Sequence, residues 1–283
     1  MMKPAMHLID TFSYYQSESV EALRRHNQCL TTIKLLCQLT RAVQQHRGAT
    51  MGYLSGATSF HEKITALQAS VEKILLLLNH TEGDQIFNPY KNHLSHISND
   101  WKTIIIGWQD DKVLHNFEFH SHLVNALLKF LRNYIKKQLL PHLNSSGVDY
   151  NPLLDVCFVQ LPNNIESLAI VRGLSTNAAV VKACGQDSHA KLSYLLKDIP
   201  LKNKQLIEKT SHLIPEMTII KDQNIQLHKF LLSIQMSILD SREITANSET
   251  LFALSTDIIN AHWSAIEQGI QKIDKLSFHA LIQ

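Results

Sequence analysis

Apolar residues recur at three- and four-residue intervals along most of this chain, the period of an α-helix with one buried face. Near the N-terminus Ile33, Leu36, Leu39 and Val43 mark such a stripe, which predicts a helix from Ser17 or Ser19 to about Gly56. At roughly forty residues it would span ~60 Å. Glu18 and Glu21 fall in its first turn, where acidic groups favour the helix dipole. Ser59 followed by Glu62 reads as a capping box for a second helix carrying Ile64, Leu67, Val71, Ile74, Leu75 and Leu78. Thr81 to Asn88 reads as a turn, and Pro89 opens a third helix with Leu94, Ile97, Trp101 and Ile104 on one face. Gly107 to Asp111 breaks the period, and a fourth helix is expected from about Leu114 to Leu140.

The clearest loop is Asn144-Ser145-Ser146-Gly147, followed by Pro152. Beyond it, Leu153 to Ala183 reads as a helix kinked or broken at Pro162, since an interior proline removes a donor and clashes with the turn before it. Helices from Ser188 to Asp198 and Leu201 to Leu213 are each expected to close on a proline, Pro200 and Pro215. Glu216 to Leu239 and Ser248 to Leu276 complete the pattern, with Asp240 to Asn247 undecided. No segment alternates as a strand would. The predicted fold is all-α: two up-and-down, four-helix-type bundles, 17–143 and 152–277, sharing or abutting their longest helices within one unit of 1–283.

Composition agrees. In 283 residues there are 9 glycines and 7 prolines, too few turn formers for many short elements. A net charge of +2 without a basic block argues against nucleic-acid binding. The N-terminus lacks a signal peptide's apolar run, and Ile74 to Leu78 is far short of a membrane span, so a soluble cytoplasmic protein is expected. Cys29, Cys37, Cys157 and Cys184 have no metal-like or disulfide spacing and read as buried, reduced thiols. Among 16 histidines, His93 and His96, or His115, His120 and His122, fall close together, but no Glu-x-x-His or His-Glu-x-x-His motif accompanies them. They read as solvated or interhelical side chains, and no metal or cofactor is expected. Phosphate-loop, dinucleotide and nucleophile-elbow motifs are missing, so an enzyme is not expected.

One stretch departs from simple packing. In Leu39 to Ala57, Arg47 falls on the apolar stripe and is followed by Gly48, Gly52 and Gly56 at four-residue spacing. Each helical glycine costs about 1 kcal/mol against alanine. The row therefore suggests that something must come close, such as another backbone or a small ligand. An echo lies in Ile165 to Ala179, where Arg172 and Gly173 match Arg47 and Gly48 and also fall on an apolar stripe. A lone inward arginine is usually a buried ion pair or a snorkelling side chain. Two of them, each before a glycine, point instead to guanidiniums converging on a small oxyanion, with Gln44, Thr50, Ser175 and Thr176 as neutral donors.

These residues resemble the bacterial nitrate- and nitrite-sensing (NIT) family. The resemblance lies in Gln44-x-x-Arg47-Gly48 running into Tyr53-Leu54, in His120-x-x-Leu123 within Val113 to Leu131, in the second Arg-Gly, and in Glu249-x-x-Phe252 with its following threonine. It implies two four-helix bundles binding nitrate or nitrite near the arginines, as an input module for an output domain. His46 stands where the family often has an acidic residue, and no output domain is expected to follow. Lys229 or Arg242 would supply a third cation. The expected function is signal input: Arg47, Arg172, Gly48, Gly173, Thr50 and Thr176 would bind the anion, and an unknown output protein or a homodimer would read it. The alternative is a helical interaction protein with structural arginines and no ligand.

Overall fold

The computed structural model describes residues 4–80, 90–143 and 149–282, and among them every regular element is a helix. Eight carry the fold: α1 (Pro4–Leu54), α2 (His61–His80), α3 (Lys91–Ile105), α4 (Val113–Tyr134), α5 (Leu161–Val181), α6 (Gln186–Leu213), α7 (Ile219–Ile234) and α8 (Ser248–Ile282). Helices α1 to α4 pack on one another, as do α5 to α8, and α1 joins the two sets by lying against α5 and α8. Buried side chains from both sets, from Ile33 and Leu36 to Ile266 and Ile270, form one continuous apolar core. The all-α prediction holds.

Several boundaries differ for physical reasons. Helix α1 begins at Pro4 rather than near Ser17, because no glycine or proline interrupts the chain between Pro4 and Gly48. It ends at Leu54, and Gly56 then adopts φ +113 in the turn that follows. Gly56 is thus a turn glycine and does not extend the helical glycine row. Ser59 does not cap α2; its hydroxyl donates to Glu249 Oε1 at 2.8 Å, tying the turn before α2 to the start of α8. Asn247 caps α8 instead, its Oδ1 accepting from the Thr250 amide at 2.8 Å.

Neither interior proline ends a helix. Pro162 follows a π turn at Val156–Gln160, and the wider turn relieves the clash of the ring with the preceding carbonyls, so α5 is entered without a break from Asn151–Asp155. Pro200 lies inside α6, where Leu192, Leu195, Leu196 and Ile199 before it and Asn203, Leu206 and Thr210 after it form one buried stripe. That packing outweighs a proline cost of about 3 kcal/mol. Helix α4 likewise continues through a π turn, Ile135–Leu139, to Leu143. The turn read at Thr81 to Asn88, Pro89, and the loop at Asn144 to Gly147 lie outside the described residues.

Candidate functional site

Arg47 and Arg172 are both fully buried, on α1 and α5, which pack against each other. Arg47 is neutralised. Its Nη1 and Nη2 donate to the two carboxylate oxygens of Glu166 at 2.6 and 3.0 Å, and Nη1 also donates to Ser121 Oγ at 2.8 Å. Glu166, on α5, takes a further bond from Gln44 Nε2 at 2.8 Å. A buried two-pronged guanidinium–carboxylate pair of this kind is geometrically specific and strongly destabilising to break.

Arg172 has no such partner. Its Nη2 donates to the backbone oxygen of Gln44 at 2.7 Å and its Nη1 to Thr256 Oγ1 at 3.1 Å. No carboxylate lies within ion-pairing distance of it among the described residues. Burial, and then the neighbouring Arg47 charge, push this guanidinium below its ordinary value, with Glu166 opposing. The Arg172 Nε, the Arg47 Nε and the Thr176 hydroxyl have no hydrogen-bond partner among the described residues, and neither does the Gln44 amide oxygen. The two arginines meet through Gln44 and Glu166, and the cluster holds more buried positive charge than negative.

The surroundings of the two arginines repeat. The Arg47 guanidinium lies 4.9 Å from the centroid of Phe117, on α4, and that of Arg172 lies 5.0 Å from the centroid of Phe252, on α8. One turn beyond each phenylalanine a hydroxyl accepts from the arginine and donates to the phenylalanine carbonyl: Ser121 after Phe117, Thr256 after Phe252. Each phenylalanine rests on the glycine of the other motif. A Cβ on Gly173 would lie 3.0 Å from Phe117 Cε2, and one on Gly48 would lie 3.0 Å from Phe252 Cε2. A lysine stands near each ring as well, Lys191 at 5.7 Å from Phe117 and Lys63 at 4.2 Å from Phe252. The two halves thus carry one constellation twice, with the glycines exchanged across the interface.

Three positions break the repeat. Aligning Arg47 with Arg172 sets Glu166 against Arg41, which is bonded instead to Asn260 Oδ1 at 2.9 Å. It also sets Thr176 against Met51, whose sulfur lies 3.1 Å from a Gly173 Cβ, whereas the Gly48 Cβ would stand 3.0 Å from Arg172 Nε. Finally, His46 aligns with Val171. His46 Nδ1 is 2.7 Å from His120 Nε2, and His120 Nδ1 is 2.7 Å from the Asn116 carbonyl. A carbonyl only accepts, so His120 carries its proton on Nδ1, and His46 donates to its Nε2. Both rings are buried beside Arg47, and burial holds His120 down to about 3 and His46 well below its ordinary value.

Of the residues expected from sequence, Arg47, Arg172 and Gly48 fall in this cluster, and Thr176 is fully buried one turn beyond Arg172 on α5. Gly173 borders Phe117 and Met51 rather than a guanidinium. The Thr50 and Ser175 hydroxyls are spent on carbonyls of their own helices. Gln44 contributes through its carbonyl as well as its amide. The glycines make room for side chains, Gly48 for Arg172 and Phe252 and Gly52 for Phe60, not for a second backbone. Lys229 and Arg242 are exposed and interact with neither arginine. Glu166, Phe117 and Lys63 were not anticipated as site residues, and Phe252 was marked only within the Glu249-x-x-Phe252 motif. The available signal was that Glu166 and Arg172 are the only charged residues from Leu161 to Val181.

All four cysteines are free; Cys29, Cys37 and Cys157 are buried, and burial raises each thiol to about 12. Among the described residues no three His, Cys, Asp or Glu side chains gather as a metal site, and no helix is long and apolar enough to cross a membrane. No protein-family model, curated protein or solved structure matches the chain.

Proposed function

We propose that this chain is a ligand-sensing protein that binds a small planar oxyanion, nitrate or nitrite, and that Arg172 receives it. The observation supporting this reading is the uncompensated burial of Arg172, a full charge held by one carbonyl and one hydroxyl, with Nε turned toward Gly48. Burying a charge without an opposite partner is costly, and an arriving anion would relieve that cost. Nitrate and nitrite present two coplanar oxygens at the spacing of a guanidinium edge, so Nε and one Nη can be met together. The Thr176 hydroxyl is a further donor without a partner. Resemblance of the two Arg-Gly segments to the NIT family points to the same ligand class.

The signal follows from what Arg172 gives up. Its present bonds run to Gln44 on α1 and Thr256 on α8, so an anion competing for those N–H groups loosens α5 from both helices. A ligand that binds the loosened arrangement better shifts the population toward it. Cytoplasmic nitrate or nitrite would be the input, and a separate output protein or a homodimer would read the change. Calorimetric titration with sodium nitrate and sodium nitrite, against sodium chloride at equal ionic strength, tests the reading. Saturable heat lost in Arg172→Met is expected; no saturable heat in the unaltered chain would sink it.

The Arg47–Glu166 pair supports a second reading, a helical interaction protein whose arginines are structural. In that case Arg172→Met would destabilise the fold as strongly as loss of Glu166, and nitrate would have no effect.

A further inference from the structure

We propose that Lys63 is the third cation of the oxyanion site, and that the anion lies against Phe252 on the Arg172 side rather than between the two arginines. This inference rests on the oxyanion reading and adds where the ligand sits and which residue admits it. The midline between Arg47 and Arg172 is already occupied. Glu166 spans both Nη atoms of Arg47, and Gln44 holds Glu166 with its side chain and Arg172 with its carbonyl. An anion placed there would have to displace an internal carboxylate of the same charge.

On the other side of Arg172 two cations share one ring, and the acid one turn before that ring, Glu249, is held by the Ser59 hydroxyl. The Phe252 ring carries the Lys63 ammonium at 4.2 Å and the Arg172 guanidinium at 5.0 Å from its centroid, and neither cation has a carboxylate within ion-pairing distance among the described residues. Two cations on one ring repel each other, and burial and the Arg172 charge hold the Lys63 ammonium below its ordinary value. Lys63 lies in the first turn of α2 and is exposed, whereas both arginines are fully buried, so it links the cluster to solvent. The ring between them belongs to a small satellite group of Ala49, Phe60, Ile64, Trp108 and Phe252, separate from the main core. Rings at the edge of a small cluster shift more readily than side chains in a close-packed interior.

The repeat supplies an internal control. Lys191 occupies the matching place at 5.7 Å from Phe117, beside an arginine that Glu166 already neutralises. Both lysines are exposed, so replacing either leaves the buried cluster intact, and an unchanged urea midpoint confirms the fold. Calorimetric titration of the full chain with sodium nitrate then compares the variants. Lys63→Ala is expected to weaken nitrate binding about tenfold, Lys63→Arg to restore it to within about threefold, and Lys191→Ala to leave it unchanged. Nitrate affinity undiminished in Lys63→Ala, or reduced equally in Lys191→Ala, overturns the assignment while leaving the oxyanion reading in place. An unaltered chain that binds no nitrate overturns both.

Discussion

Arg47 and Arg172 occupy the same place in two copies of one constellation, yet only Arg47 is neutralised. Each guanidinium lies on a phenylalanine, donates to a hydroxyl one turn further on, and has a lysine near the ring. The copies part at one charge: Glu166 faces Arg47, and Arg41 holds the position that would have faced Arg172. Fold and packing alone therefore do not require an unpaired cation here, because the same scaffold in the other half holds a paired one. The difference marks Arg47 as the paired, anchoring half of the cluster and Arg172 as the unpaired half, where we propose that the anion binds.

The largest effect should come from removing that one carboxylate. Glu166→Ala leaves Arg47 buried and unpaired, and should cost about 3–5 kcal/mol in urea unfolding. Arg172→Met should act in the opposite direction, stabilising the anion-free chain by about 1–3 kcal/mol, since it removes an unpaired buried charge and keeps a side chain of similar length. A loss of several kcal/mol in that variant would make the two arginines equivalent and break the comparison.

The histidine pair beside Arg47 gives a pH signature with no counterpart at Arg172, although His262, buried on α8 and likewise lowered, adds to the slope of the whole chain. The pair's folded-state pKa values are depressed, so the unfolded chain binds more protons at acidic pH. Stability is therefore intact above about 6.5 and lost as pH falls from there toward about 3, by roughly 1.4 kcal/mol per pH unit for each histidine. Urea midpoints between pH 7.5 and 5 should fall accordingly, and His120→Gln should flatten the slope. The glycines sharpen the comparison at the smallest scale. Gly48→Ala presses on Arg172 Nε and Phe252 and should cost about 1–2 kcal/mol; Gly173→Ala meets the flexible end of Met51 as well as Phe117, and should cost about 1 kcal/mol less.

Much of the fold was legible, because long apolar stripes at helical spacing admit few alternatives. Residues such as Leu94, Ile97, Trp101 and Ile104 were placed on the buried face that they occupy. Pro200 misled because its local penalty was weighed without the packing around it: the continuous stripe of α6 carries it, whereas Pro215 does follow the end of that helix at Leu213. Pairing of the Arg-Gly motifs could be read, since it is a repeat along the chain. What neutralises Arg47 could not, because Glu166 reaches it from another helix and an isolated glutamate has no periodicity to betray it. Phe117 and Phe252 were hidden for a different reason. In sequence Phe117 looks like one more core aromatic and Phe252 only like part of a short motif, and only the folded chain sets each ring on the other motif's glycine.

The most direct measurement is a crystal structure of the chain soaked in sodium nitrate. Planar triangular density is expected within hydrogen-bonding distance of Arg172 Nε, on the Phe252 side, with Lys63 drawn toward it and the Arg47–Glu166 pair unchanged. An empty site, with Arg172 still bonded only to Gln44 and Thr256 at saturating nitrate, would contradict it.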